Sequence, residues 1–84
     1  MKQEETLRKE FLRLLGQRIK ALRLERGLSQ AEVANICGKE RQSYQRIELG
    51  KVNPTIWYLQ HIASALKVEL KDLVDLRFDE LKLM

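Results

Sequence analysis

Between positions 41 and 49 the chain reads Arg41-Gln42-Ser43-Tyr44-Gln45-Arg46-Ile47-Glu48-Leu49. Arginine and glutamine carry flat, forked hydrogen-bonding groups, and their preferred bidentate partners are the guanine and adenine edges in the major groove of duplex DNA. On a helical wheel with Tyr44 as origin, Ile47 and Glu48 fall near it, at about −60° and +40°. Gln42, Gln45, Arg46 and Leu49 fall opposite, between about 100° and 200°. That opposite face holds no acid, whereas a surface shaped only for solubility mixes in Glu or Asp. Arg41, Gln42, Ser43, Gln45 and Arg46 are therefore candidate DNA-binding residues. The bland alternative is a solvated helix face.

Such residues need a scaffold, and the sequence predicts helices throughout. A first helix over about 5–26 carries an apolar stripe of Leu7, Phe11, Leu14, Leu15, Ile19 and Leu22, interrupted by Gly16, which weakens the helix slightly. Gly27 suits the position after its end. Ser29 opens a second helix, with Glu32 three residues on to complete a capping box. Val33, Ala34 and Cys37 form its inner face, and Gly38 ends it in the left-handed conformation. A third helix over about 41–49 is anchored by Tyr44 and Ile47. After the breaker Asn53-Pro54, Thr55 caps a fourth helix whose inward stripe is Leu59, Ile62, Ala63 and Leu66. A short fifth helix is expected near 70–75. Two short helices joined by a three-residue turn make a helix-turn-helix. The fold expected is all-α, a compact five-helix bundle with an extended first helix.

The totals agree with a nucleic-acid partner and exclude several others. Eighty-four residues make one domain. Residues 1–53 hold twelve basic and seven acidic side chains, whereas residues 54–84 hold four and five. The basic excess thus lies in the first two-thirds, where a polyanion would be met. One cysteine permits no intrachain disulfide, and with a single histidine there is no zinc cluster. No cofactor or metal is expected. The start lacks the apolar core of a signal peptide, and no run approaches the roughly 18–20 apolar residues of a membrane span. A soluble, cytoplasmic protein without a membrane partner is expected.

The stretch 16–74 resembles the phage-repressor-like (Cro/XRE) helix-turn-helix family. The resemblance rests on Arg18-Ile19-Lys20-Ala21-Leu22-Arg23, Gly27-Leu28-Ser29-Gln30, Gln45-Arg46-Ile47-Glu48-Leu49-Gly50-Lys51, Asn53-Pro54-Thr55 and Ile62-Ala63-Ser64-Ala65-Leu66, in that order and spacing. It implies a five-helix DNA-binding bundle acting as a homodimer on double-stranded operator DNA. It places Gln30 against the DNA backbone, Arg41 and Gln42 at base edges, and Arg46 at a base or phosphate. It sets Lys51 and Asn53 at phosphates, and makes Arg23 with Glu48 a structural ion pair. Two positions depart from the pattern. Lys39 stands where relatives often have a small apolar residue, and is expected to turn outward to a phosphate. Tyr44 stands in place of a more usual Ile or Val, and is expected to bury its ring and leave its hydroxyl at the DNA edge.

Other residues carry two readings. Cys37 reads as a small core residue, against a redox sensor that would need an exposed, low-pKa thiol. Trp57 points away from the inward stripe of its helix, with His61 one turn on; it is either a dimer contact or is covered by a chain end. Phe78 and Leu81 belong to a tail, 76–84, with more apolar residues than a free end needs, and join Trp57 and His61 as possible dimer contacts. The division expected is 1–15 as a helical extension merging into the first helix, 16–75 as the helix-turn-helix domain, and 76–84 as the tail. The function expected is a transcriptional regulator, a repressor, reading a near-palindromic operator. The rival is an antitoxin or adaptor that binds another protein. An enzyme is not expected, since there is no nucleophile–base pair, apolar carboxylate pair or metal-ligand set.

Overall fold

The structure, a computed structural model, describes residues 2–76; the expectations for Phe78 and Leu81 lie outside the described residues. Five helices follow one another: α1 Lys2–Glu25, α2 Gln30–Ile36, α3 Arg41–Glu48, α4 Ile56–Leu66 and α5 Leu70–Leu73. The described residues contain no strand. The fold is the expected all-helical one, and α1, at 24 residues, is more than twice as long as the 11-residue α4. No helix of the described residues is long and apolar enough to cross a membrane.

Helix ends form where the sequence signals them. The Ser29 hydroxyl accepts from the Glu32 amide at 3.0 Å while the Ser29 amide donates to Glu32 Oε1 at 2.8 Å, so two unpaired donors of α2 are satisfied at once. Thr55 Oγ1 accepts from the Tyr58 amide at 3.1 Å and fixes the start of α4. Gly38, at φ +66°, takes the left-handed turn that separates α2 from α3. Lys67 ends α4 in the same region, at φ 58°, without the help of a glycine. Two arginines, Arg18 of α1 and Arg26 just past its end, close the far ends of other helices. Arg26 Nε donates to the Leu66 carbonyl at 2.7 Å and Arg18 Nε to the Asp72 carbonyl at 2.9 Å.

One core joins all five helices. It holds Leu15, Ile19 and Leu22 from α1, Val33 and Ala34 from α2, and Tyr44 and Ile47 from α3; Leu59, Ile62, Ala63 and Leu66 come from α4 and Leu73 from α5. The first turns of α1 differ from the expected stripe. Leu12 is buried, whereas Leu7, Phe11 and Leu14 are only half-buried. Periodicity locates a broad apolar side; which edge of it is covered depends on α3, which packs against only one flank of α1. Gly16 also has a different role from the helix-weakening one expected. A Cβ there would lie 2.3 Å from the Glu48 carbonyl oxygen and 2.6 Å from that of Ile47. Gly16 is where α1 and the end of α3 touch backbone to backbone.

Candidate nucleic-acid interface

The geometry of α3 follows from one buried carboxylate. Glu48 is 6 % exposed and Tyr44 fully buried. Arg23 Nε donates to Glu48 Oε2 at 2.6 Å, and the guanidinium reaches Oε1 at 3.1 Å. Gln30 Nε2 donates to Oε1 at 3.0 Å. The Tyr44 hydroxyl donates to Oε2. Arg23 also donates to the Leu28 carbonyl at 2.8 Å, so the first helix, the following loop, α2 and α3 meet on a single ion pair. Burial opposes the charged form of Glu48. The hydrogen bonds from Arg23, Tyr44 and Gln30, with the Arg23 charge, outweigh it and hold the carboxyl below the ordinary glutamate range. The Glu48 hydrogen bond holds Arg23 above the ordinary arginine range. Burial, aided by Glu48, pushes the Tyr44 phenol far up.

One expectation is corrected here. The Tyr44 hydroxyl does not lie at the DNA edge, because the buried carboxylate one turn on is a stronger acceptor than water at the surface. Gln30, expected against the DNA backbone, gives one amide N–H to Glu48. It is half-buried.

With Tyr44, Ile47 and Glu48 locked inward, Arg41, Gln42, Ser43, Arg46 and Leu49 are exposed and Gln45 is half-buried. Among the described residues neither the Arg41 nor the Arg46 side chain has a hydrogen-bond or ion-pair partner. No acid shares their face, since the one acid of α3, Glu48, is inside. Lys51 and Asn53 are exposed on the loop that follows. Lys39 is exposed, with its ammonium 5.2 Å from the centre of the Tyr58 ring, a cation–π contact that keeps it beside the turn. Sequence reasoning gives Tyr58 no role. Its hydroxyl is buried without a hydrogen-bond partner, and burial pushes its pKa up to about 12.

Trp57 is 67 % exposed, its ring 4.6 Å from that of His61 and inclined by 57°. Among the described residues nothing folds over it. Cys37 is buried, and burial pushes its thiol up, which suits packing and not redox sensing. The described residues hold no cluster of His, Cys, Asp or Glu able to bind a metal.

A helix-turn-helix family matches residues 19–73. The chain belongs to the phage-repressor-like helix-turn-helix family. Helix-turn-helix relatives resemble it over most of its length. It is 37 % identical over 60 residues to the immunity repressor protein of Bacillus phage phi105, covering 71 % of this chain and 42 % of the repressor. It is 39 % identical over 65 residues to the uncharacterized HTH-type transcriptional regulator y4dJ of Sinorhizobium fredii, covering 77 % and 84 %. Against the HTH-type transcriptional regulator SinR of Bacillus subtilis the figures are 35 % over 63 residues, 74 % and 57 %. The chain thus spans under half of the phage repressor and just over half of SinR. Among solved helix-turn-helix structures, the restriction-modification controller protein C.AhdI of Aeromonas hydrophila is 32 % identical with a TM-score of 0.75, over 77 % of this chain and 94 % of that one. The hypothetical transcription factor NHTF of Neisseria gives 30 % and 0.75, over 90 % and 88 %.

Proposed function

We propose that this chain is a sequence-specific transcription regulator that binds double-stranded DNA as a homodimer and represses by occupying its operator. One observation carries the reading: α3 offers an exposed, acid-free face of Arg41, Gln42, Ser43 and Arg46 while its other face is fixed by the Glu48 network. A rigid helix with free guanidinium and amide groups can dock in the major groove without first breaking an ion pair. Arg41, Gln42 and Arg46 would read base edges, with Ser43 and Gln45 beside them. Lys39, Lys51 and Asn53 would hold phosphates and set the register. Gln30 would join the two sets, giving one N–H to Glu48 and the remainder of its amide to the backbone. Residues 16–75 would form the DNA-binding domain, with 1–15 as its extension and 76–84 as a tail that reaches the dimer contact.

Two copies related by a two-fold axis would place their α3 helices in successive major grooves, about one helical turn apart, so the operator would be nearly palindromic. The names of the phage immunity repressor and of the other regulators favour the same reading. The test is selection of binding sites from random duplex DNA at near-physiological salt. A two-fold symmetric motif is expected. Binding without enrichment, vanishing as salt rises, would overturn the reading.

A second reading, an antitoxin or adaptor module, rests on the exposed Trp57. Large apolar side chains left uncovered mark interaction surfaces. A different protein recovered with the chain in fixed stoichiometry would favour it; a homodimer alone favours the first.

A further inference from the structure

The turns of α1 that precede the matched segment are not bare. Arg8, Lys9 and Arg13 of α1 face Lys51, from the loop after α3, across an open groove of about 430 Å³. At about 100° per residue, Arg8, Lys9, Leu12 and Arg13 share one side of α1. Leu12 is buried and anchors that side, so Arg8 and Lys9 stand out on either flank of it, both exposed. The two walls are held close. A Cβ on Gly50 would lie 2.8 Å from Arg13 Cα, so α1 and the loop meet at backbone distance.

The groove is strongly positive. None of its lining residues is acidic. Glu10 pairs with Arg13 from outside it and offsets one of the four cations. The C-terminal end of α3 points here, but it is equivalent to roughly half a negative charge. Two of the carbonyls in its last turn are already taken: the Arg46 oxygen by the Lys51 amide at 2.9 Å and the Ile47 oxygen by the Gly50 amide at 3.0 Å. Three cations therefore remain in excess, repelling one another across a space open to solvent. A polyanion relieves that repulsion. The groove is also continuous with the outward face of α3, because Leu49 belongs to both.

We propose that this groove clasps the phosphate backbone of the same duplex that α3 reads, with Arg8, Lys9 and Lys51 as its phosphate ligands. The inference rests on the DNA-binding reading and adds to it: the α1 extension becomes a second backbone contact outside the helix-turn-helix. It carries no sequence information, since phosphate contacts position and do not specify. On the line of Lys9, one turn nearer the start of α1, stands Glu5, which bounds the positive strip on that side.

The test uses the full chain carrying Arg8→Ala and Lys9→Ala together, with the selected operator and with an arbitrary duplex about three helical turns long. Both side chains are exposed, so the melting temperature is expected to hold. The plot of log K against log salt is expected to become shallower by about 3.6 for the dimer, roughly 0.9 for each of the phosphates no longer neutralised, two per subunit. The wild-type advantage then shrinks on the order of a hundredfold between about 50 and 200 mM salt, equally on both duplexes. The selected base preferences stay as they were. Glu5→Gln, which removes charge of the opposite sign, is expected to tighten binding to both. An unchanged salt slope in the double variant, with the wild type still selecting its symmetric site, overturns the groove alone. A wild-type chain that binds neither duplex overturns the groove and the DNA reading together.

Discussion

Glu48 shows how one side chain can hold a helix to the rest of a molecule. Its two oxygens accept from Arg23, Gln30 and Tyr44, and both members of the ion pair are almost wholly shielded from water. Two truncations separate its parts. Tyr44→Phe leaves the carboxylate with Arg23 and Gln30, so the expected loss is that of a single hydrogen bond, about 1 kcal/mol. Glu48→Ala strands a buried guanidinium, and about 3–5 kcal/mol is expected in urea denaturation. A comparable loss in the two variants would mean that the phenol, not the ion pair, secures α3. The same carboxylate makes stability depend on pH. In the unfolded chain it titrates near its ordinary value of 4.5, and in the folded protein below that. Above 4.5 both states are ionised and the Glu48 contribution is fully present. As the pH falls below that value the unfolded state takes up the proton first, and the contribution is lost as the pH passes through the depressed folded value. Urea midpoints followed from neutral pH into the acid range are expected to fall in the wild type, and to fall less in Glu48→Gln.

At the scale of elements, the ends of helices are more legible in the sequence than their packing. Ser29 with Glu32, Gly38 and Thr55 act within a few residues of themselves, so the sequence alone determines them. The α4 stripe of Leu59, Ile62, Ala63 and Leu66 is legible for a similar reason, being a single clear face of a short helix. Leu12 and Gly16 are not, because what decides them is the position of α3, more than thirty residues away for Gly16. The Tyr44 hydroxyl is not legible either, because its partner, though one turn along, is a carboxylate that only tertiary packing brings inside. For the candidate site, residue types and wheel position mark the outward face of α3, but nothing local signals that Gln30 turns partly inward. Gly16→Ala tests the close approach. Helix propensity alone predicts a gain of about 1 kcal/mol, whereas the 2.3 Å approach of the Glu48 carbonyl predicts a net loss of about 2–3 kcal/mol. Lys67→Gly tests the opposite case. It relieves a left-handed backbone on an exposed residue, and thermal unfolding is expected to show a gain of about 0.5–1 kcal/mol.

The size of the molecule bears on how it can recognise DNA. The described residues extend 36 Å in their longest dimension and 21 and 20 Å in the others. One helical turn of DNA spans about 34–36 Å, so one copy has room for one half-site. The α3 helix, at eight residues, is about 12 Å long and reaches only a few base pairs. Each wrong pair costs about 1–3 kcal/mol against an excess of competing sites. A few pairs from one helix therefore discriminate weakly, and repeating the same readout through a two-fold axis doubles the discrimination without new residues. On this argument dimerisation and specificity fail together. Trp57, exposed on the face of α4 away from the core, is the described side chain best placed to test that link. Trp57→Ala leaves the core intact, so its melting temperature is expected to match the wild type. Sedimentation is expected to show a monomer where the wild type is a dimer. Operator affinity should then fall, while binding to an arbitrary duplex of half-site length stays the same. A Trp57→Ala chain that remains dimeric moves the contact elsewhere, and the same measurements on a chain ending at Asp75 then assign it to the tail or away from it. Arg46→Ala separates readout from assembly in the same assay. It should remain dimeric and lose more affinity for the selected operator than for arbitrary duplex, and an equal loss on both would make Arg46 a phosphate contact.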